Sequence, residues 1–594
     1  MRQAQTAVWP APIAGLQLAG TYVGAPSNAA EVLDNFIPTN TGARLRGGAT
    51  LFATVTGAVQ RLMLYRSGAV EQMFAATAST IVDVSSVADP AVAEGADVIG
   101  LSSGDWSFSQ FATAGGQFLL CVNGADRYHY FDGSEWNPIV STAIFDLQYD
   151  GLTTNFAVGE TVTGGTSGAT ATIQSITRLT ATTGILRLGT ITSGPYQNNE
   201  AITSASGAAV ADGASAAGST VTLTGIDGRD VSFIWPHKSR VWMVEDGTLN
   251  AWYLPVNAFG GAATKFPLTG VFRLGGALLF GGTWTVDSGT GIDDMQVFVT
   301  TEGEVAIYQG TDPAAASTWA LAGLYRISRP INKHSWFRMG SDFYIVTEEG
   351  IVSVASIMSN DRAGQQRSAM TAAIEDLWRD TVLRRTASDR FQLVFWPGED
   401  LFIVGVPSTS GQYTSLVSNG TTGAWARILG WNVQAVQVFN DRLYYADATG
   451  KVFRADNGGQ DNGEGYSAVY VPKFQDFGVP ESKFALHARA LWKSDVQARV
   501  RLVSYSNYNA TVIPDLPPTL PDNLTGKWGT VGQKWGSGIK WGAQTATVAG
   551  SDWQAVTGSG YALAPGLVVY CNRTATPVFE ILSAHLRFEQ GTAI

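Results

Sequence analysis

Arg442-Leu-Tyr-Tyr-Ala-Asp-Ala-Thr-Gly450-Lys-Val-Phe-Arg454 is the stretch that decides the fold. It reads as two short strands of β-branched and aromatic residues around a tight turn, with Gly supplying the positive φ that the turn needs. The same device returns at Phe343-Tyr-Ile-Val-Thr-Glu-Glu-Gly350-Ile-Val-Ser-Val354, Gln296-Val-Phe-Val-Thr-Thr-Glu-Gly303-Glu-Val-Ala-Ile-Tyr308 and Arg240-Val-Trp-Met-Val-Glu-Asp-Gly247-Thr-Leu-Asn-Ala-Trp252. Weaker copies end at Gly68 and Gly124. The turn glycines step by 56, 123, 56, 47 and 100 residues, and a period of roughly 40 to 50 residues is what four-stranded propeller blades produce. The step of 100 is two blades, because Phe391-Gln-Leu-Val-Phe-Trp396 and Asp400-Leu-Phe-Ile-Val-Gly-Val406 make a strand pair midway. The step of 123 falls to a normal one if about 80 residues between Phe145 and Gly225 are an inserted module. The expected fold is therefore all-β, a propeller of about seven blades with an inserted small β module and a C-terminal β-sandwich-like domain.

Five regions follow from this reading: an N-terminal arm with the first strands (1–55), propeller blades (56–144), the inserted small barrel or sandwich (145–225), further blades (226–458) and a C-terminal β domain with a Trp-Gly loop (459–594). The insert repeats within itself. Phe156-Ala-Val-Gly-Glu160-Thr-Val162-Thr-Gly164-Gly-Thr-Ser-Gly168-Ala matches Tyr196-Gln-Asn-Asn-Glu200-Ala-Ile202-Thr-Ser204-Ala-Ser-Gly207-Ala, so two similar halves projecting as a surface knob are expected. Gly458 to Gly465 reads as a flexible linker by composition. One segment, Ser368 to Leu383, reads as a helix with a Ser cap and apolar residues at helical spacing.

The 594 residues include 67 glycines, with 11% aromatic and only 15% charged residues, which describes a turn-rich, strand-rich globular chain and excludes a disordered one. The opening Met1-Arg-Gln-Ala-Gln-Thr-Ala-Val-Trp-Pro10 lacks the apolar core of a signal peptide, and no run approaches a transmembrane length. Cys121 and Cys571 lie within or beside apolar strand patterns and are expected to be buried reduced thiols of a protein made in a cytoplasm. Net charge is −11 with no Lys/Arg cluster, so an adhesive nucleic-acid grip is not expected.

The chemistry-bearing residue types do not assemble. His129, His237, His334, His487 and His585 are scattered without a second His or Cys at ligand spacing, so no metal site is expected. No P-loop, nucleophile elbow or EF-hand is present, and no cofactor or catalytic residue is assigned. The turn around Asp132-Gly133-Ser134-Glu135 reads as an ordinary Asp-Gly hairpin turn. Lys527-Trp528-Gly, Lys534-Trp535-Gly and Lys540-Trp541-Gly, after the proline-stiffened 514–521, suit a loop that packs on a neighbouring surface; stacking on sugar rings or bases would use the same residues.

Ser27-Asn-Ala-Ala-Glu-Val-Leu-Asp-Asn35-Phe-Ile-Pro38-Thr-Asn-Thr-Gly42-Ala-Arg44-Leu-Arg46-Gly47-Gly-Ala-Thr50-Leu-Phe52-Ala-Thr54 resembles the opening of the tail nozzle (tail hub, tail tube B) proteins of short-tailed bacteriophages, with its Asn-x-x-Pro step and Gly-x-Thr-x-Phe strand. The order of blades, inserted module and closing β domain with Trp-Gly repeats and Tyr561-Ala-Leu-Ala-Pro565-Gly resembles them too. The resemblance implies a non-enzymatic structural virion protein, assembled in the host cytoplasm. It implies a homo-oligomeric ring of six at the distal tail tube, contacting tail adaptors and carrying fibres or spikes outside, with genomic DNA retained in and ejected through its lumen without specific binding. Six copies at −11 each carry −66, which would repel duplex DNA from the walls. Arg44 and Arg46 are candidates to clasp acids of a neighbouring subunit or partner, as are Trp528, Trp535 and Trp541 for packing. The alternatives are a tail-associated adhesion module that binds host surface glycans through the insert or the Trp-Gly loop, and a propeller hydrolase of glycans.

Overall fold

Positive φ at Gly68, Gly124, Gly247, Gly303, Gly350 and Gly450, from 60° to 147°, places every glycine of the repeat in a conformation that side chains disfavour. In the computed structural model, which describes residues 4–20, 26–287, 292–315, 317–386, 389–408, 412–495, 498–511, 547–550 and 552–591, these turns join antiparallel strands into blades. Five blades stand as sheets of their own, where the hairpin spacing predicts seven. Four have four strands and one has three. They are Ser107–Thr113, Gly116–Val122, Tyr128–Phe131 with Trp136–Ile139; Val231–His237, Arg240–Glu245, Asn250–Tyr253 with Thr264–Pro267; Leu278–Asp287, Ile292–Thr300, Glu304–Gly310 with Trp319–Arg326; Trp336–Met339, Asp342–Thr347 with Gly350–Ser353; and Ala435–Phe439, Arg442–Ala446, Lys451–Ala455 with Ala49–Thr54. The last takes its fourth strand from the far end of the chain, with Lys451 opposite Thr54, so the propeller is closed by its own N-terminal region.

The two other four-strand runs merge into larger sheets. Arg61–Ser67, Val70–Ala76, Thr80–Asp83 and Val98–Ile99 continue through Val98–Ile99 into Thr170–Arg178 of the insert. The insert closes on itself in the order 161–164, 201–203, 208–211, 145–154, 184–188, 170–178 and back to 161–164, a six-stranded barrel around Leu147, Tyr149, Val162, Ile173, Leu186 and Ile202. The barrel thus continues the sheet of the 61–99 run, and the buried guanidinium of Arg187 ties its Asp146 to Glu135 in the neighbouring blade turn.

Gln392–Trp396, Leu401–Pro407, Tyr413–Asn419 and Trp425–Ile428 continue through Gly15–Leu16 and Ala29–Asp34 into Tyr466–Pro472, Leu563–Cys571 and Arg499–Ser506. A second sheet, built on Phe579–Gln590 and Lys483–Ser494 with Gln5–Pro10, Phe36–Pro38 and Ala43–Leu45, packs on that extension over Trp9, Leu33, Tyr470, Leu567, Ile581 and Leu586. The residues expected as an arm are therefore divided: 5–45 supply strands to the C-terminal sandwich and 49–54 complete a blade.

Two local readings are corrected. Residues 458–465 are no loose linker, because Gly48 N–H donates to Gly458 O (2.9 Å), Ala49 N–H to Gln460 O (3.0 Å) and Asn462 N–H to Ala49 O (2.7 Å). The helix expected over 368–383 is confined to Glu375–Arg384, preceded by the 3₁₀ turn Ala372–Ile374, and Ser368 ends the short helix Arg362–Arg367. Met370 N–H donates to Ile351 O and Thr371 Oγ1 accepts from Ile351 N–H, which bends 369–371 onto the 350–353 strand. Both cysteines are buried and unbridged. No helix among the described residues is long and apolar enough to cross a membrane.

Candidate functional site

Arg46 sits between Leu45, which faces the sandwich core, and Gly47-Gly48, whose missing side chains let the 456–460 loop close against the backbone. Its residue exposure is 0%. All five N–H donors are used: Nε to Asn35 Oδ1 (2.9 Å), Nη1 to Asp461 Oδ1 and Gly47 O (2.8 Å each), Nη2 to Asp461 Oδ2 (2.7 Å) and Leu429 O (2.9 Å). The guanidinium also lies 3.9 Å from the Tyr466 ring centre and 5.2 Å from that of Trp431. This residue is an internal staple between sandwich, blade and loop, with no donor left for a neighbouring subunit. Arg44 pairs with Asp456 (2.8 Å) and Glu399 (3.3 Å) but keeps 27% of its side chain exposed. Burial works against its charge, and the two carboxylates more than offset that, raising its pKa. It borders an open cleft of about 260 Å³ with Thr39, Asn40, Asp400 and Thr421, so of the two arginines only Arg44 offers a surface. Trp528, Trp535 and Trp541 lie outside the described residues.

A second constellation escaped the sequence reading. Arg61 opens one first strand of a blade run, Asp105 stands two residues before another, Lys333 and His334 precede a third, and Arg390 a fourth. Strand 61–67 touches 107–113, 336–339 touches 392–396, and 435–439 touches both 392–396 and 61–67, so these positions converge at one mouth of the propeller. Asp105 Oδ1 accepts from His334 Nε2 (2.8 Å) and forms an ion pair with Arg390 Nε (3.1 Å), while Oδ2 meets Lys333 Nζ (3.3 Å). Arg61 bonds Gln392 and lies 5.3 Å from the Phe108 ring centre. Burial alone would raise the Asp105 carboxyl, but His334, Lys333 and Arg390 hold it well below the usual carboxylate range. Burial, then the charge of Arg61, pushes His334 down to about 3, so it is neutral and donates through Nε2–H. Burial also lowers Lys333, and it takes Arg61 down to about 10, with Arg390 repelling both. The sequence signal was a charged or polar residue recurring at the start of a first strand or within three positions ahead of it, each invisible as a cluster because its partners are 44 to 329 residues away.

These ion pairs cross the propeller axis, which is therefore not an open pore at this level. The other residues singled out stay apart. His129 Nδ1 faces Arg127 O, His237 faces Thr283 and His585 faces Ser583. Glu348 and Glu349, both partly exposed, pair with Arg385 and Arg362. Asp132 Oδ1 accepts from the backbone N–H groups of Ser134 and Glu135, a self-contained turn. Among the described residues no three His, Cys, Asp or Glu side chains gather as a metal site would require.

No family model and no curated protein matches the chain. Similar solved structures include the computationally designed Ika8 protein (9% identity, TM-score 0.32, covering 68% of this chain and 99% of that one). They also include the β-propeller domain of Cps50 (Swd1) from Myceliophteria thermophila (7%, 0.26, 69% and 99%) and the BP39L lectin from Burkholderia pseudomallei (13%, 0.27, 64% and 99%). TM-scores this low carry no argument about what the chain does.

Proposed function

We propose that this chain is a structural virion protein, a subunit of a tail-nozzle ring of a short-tailed phage that retains and then releases DNA. The observation that carries the reading is the role of residues 27–54, the segment that resembles nozzle proteins. It lays strands 29–34, 36–38 and 43–45 into the sandwich, places the Arg46 staple, and then supplies 49–54 to the propeller. One nine-stranded sheet runs from a blade into the sandwich, so force on either part is transmitted through backbone hydrogen bonds. That suits a mechanical part better than a hinged enzyme. Under this reading the merged runs 61–99 and 392–428 are blades, giving seven around the axis. Under this reading the DNA path runs between copies, because the ion pairs obstruct the axis of each propeller, and the net charge of −11 per chain repels phosphate. Arg44 and the open cleft beside it are the part of the 27–54 segment still free to meet a neighbouring copy or an adaptor.

Cryo-electron microscopy of the virion that carries the protein tests this. A ring of about six copies on the tail axis is expected. Copies off the axis, at the periphery, would overturn it and favour host-glycan adhesion.

A further inference from the structure

We infer that the axial mouth formed by Arg61, Lys333, His334 and Arg390 binds a small oxyanion of the phosphate or sulfate type. The charges do not balance. Three cations gather around one carboxylate, Asp105, which is already paired with Lys333, His334 and Arg390. The next acid, Asp246, acts on Lys333 alone among them. Asp126 is occupied by Ser102, Ser103 and Asn123, and Asp389, next to Arg390 in sequence, by Thr386 and the Tyr413 hydroxyl. Excess charge held away from water is costly unless a counter-charge joins it.

The unused hydrogen-bonding capacity has the same sign. Arg61 Nε and Asn332 Nδ2, the latter beside Lys333, are buried donors without a partner. Donors left over next to surplus cations fit an acceptor-only ligand, and a tetrahedral oxyanion can take several at once. The site is also reachable, since Arg390 and Asp105 keep 30% and 25% of their side chains exposed. The downward displacement of Arg61, Lys333 and His334 supports the geometry, because each is driven partly by neighbouring cations that a bound anion would offset. The inference stands apart from the proposed role in a virion, as it needs only the propeller.

The test uses the full chain at constant ionic strength, exchanging chloride for inorganic phosphate and, separately, sulfate. A saturable rise in Tm and one calorimetric site per chain are expected for the wild type. In Lys333→Met and in Arg390→Gln, saturation should need roughly tenfold more anion, the loss of one charge-assisted hydrogen bond. A wild-type Tm that stays the same when phosphate or sulfate replaces chloride overturns the inference without recourse to a variant. So does a phosphate response that both folded variants share undiminished.

Discussion

Glu160 and Glu200, equivalent positions of the internal repeat, each reach across the barrel to hold the other half's loop. Glu200 accepts from Thr166 N–H (3.0 Å), Ser167 N–H (2.9 Å) and Ser167 Oγ (2.9 Å), besides Gln197 N–H of its own half. Glu160 accepts from Ser204 Oγ (2.5 Å), Ser206 Oγ (2.8 Å) and Ser206 N–H (3.2 Å). The halves are not identical: Gly164 stands where the second half has Ser204, and a side chain there would meet the Glu200 carboxylate at 2.7 Å. Glu200 is accordingly buried in the gap while Glu160 is only half-buried.

Glu200→Ala should therefore cost the barrel about 1–3 kcal/mol, since it removes the acceptor of three backbone N–H groups, and Glu160→Ala should cost less. Amide hydrogen exchange at 164–168 reads the first and at 204–207 the second. Both carboxyls titrate below their ordinary value, Glu160 through the Ser204 and Ser206 hydroxyls, Glu200 because hydrogen bonds from Ser167 and Gln197 outweigh burial. A depressed carboxylate stabilises above its unfolded pKa and loses that contribution as pH falls through the folded one. Protection at both loops should accordingly fade on acidification below the usual carboxylate range, and protection that persists there would refute the caps.

Arg46→Met should destabilise by about 3–5 kcal/mol, because Asp461 and two carbonyls lose a buried partner together. Arg46→Lys should rescue little, as a point charge cannot serve the Asp461 carboxylate, Asn35 and Leu429 O at once. Urea unfolding of the three proteins decides it, and a lysine variant close to wild type would show that charge alone holds the joint.

Trp9 joins the first strand to the last, with no exposure, its Nε1–H on Lys473 O (2.8 Å) and its ring edge-on to Phe477 at 6.0 Å. Trp9→Ala should cost about 3–5 kcal/mol, and it should deprotect Ser583 to Phe588, the strand that pairs with 5–10, in hydrogen exchange. Unchanged protection there would mean that the N-terminal strand contributes nothing to the sandwich.

What could be read from the chain was local. The glycine turns announce themselves because a two-strand hairpin is written within some fifteen residues, and the Glu160/Glu200 repeat because two halves share one pattern. The pairing of 5–10 with 583–588 leaves no such trace: each strand alternates by itself, and nothing in either names a partner more than 500 residues away. The same blindness explains the loop at 458–465, glycine-rich because Gly459 must let the 573–575 backbone approach and Gly458 and Gly463 take positive φ, yet read as a tether. Arg46 looked like surface charge, since its five acceptors come from four separate stretches.

His334 gives the pH dependence a sign. Neutral in the folded protein down to about pH 3, it takes up a proton near 6.5 once unfolded. Between those values the unfolded chain binds more protons, so the contribution is complete above pH 6.5 and drains away as pH falls, by at most about 1.4 kcal/mol per pH unit. His334→Gln keeps a donor toward Asp105 but does not titrate. The stability difference between wild type and this variant should therefore shrink steadily from pH 7.5 to pH 5, measured as urea midpoints in chloride. A difference independent of pH would mean that His334 is already charged against Asp105 in the native state. The choice of chloride matters, because an oxyanion in the axial mouth would favour the imidazolium, raise its folded pKa and flatten the same slope; repeating the series in phosphate should show that flattening if the mouth is occupied.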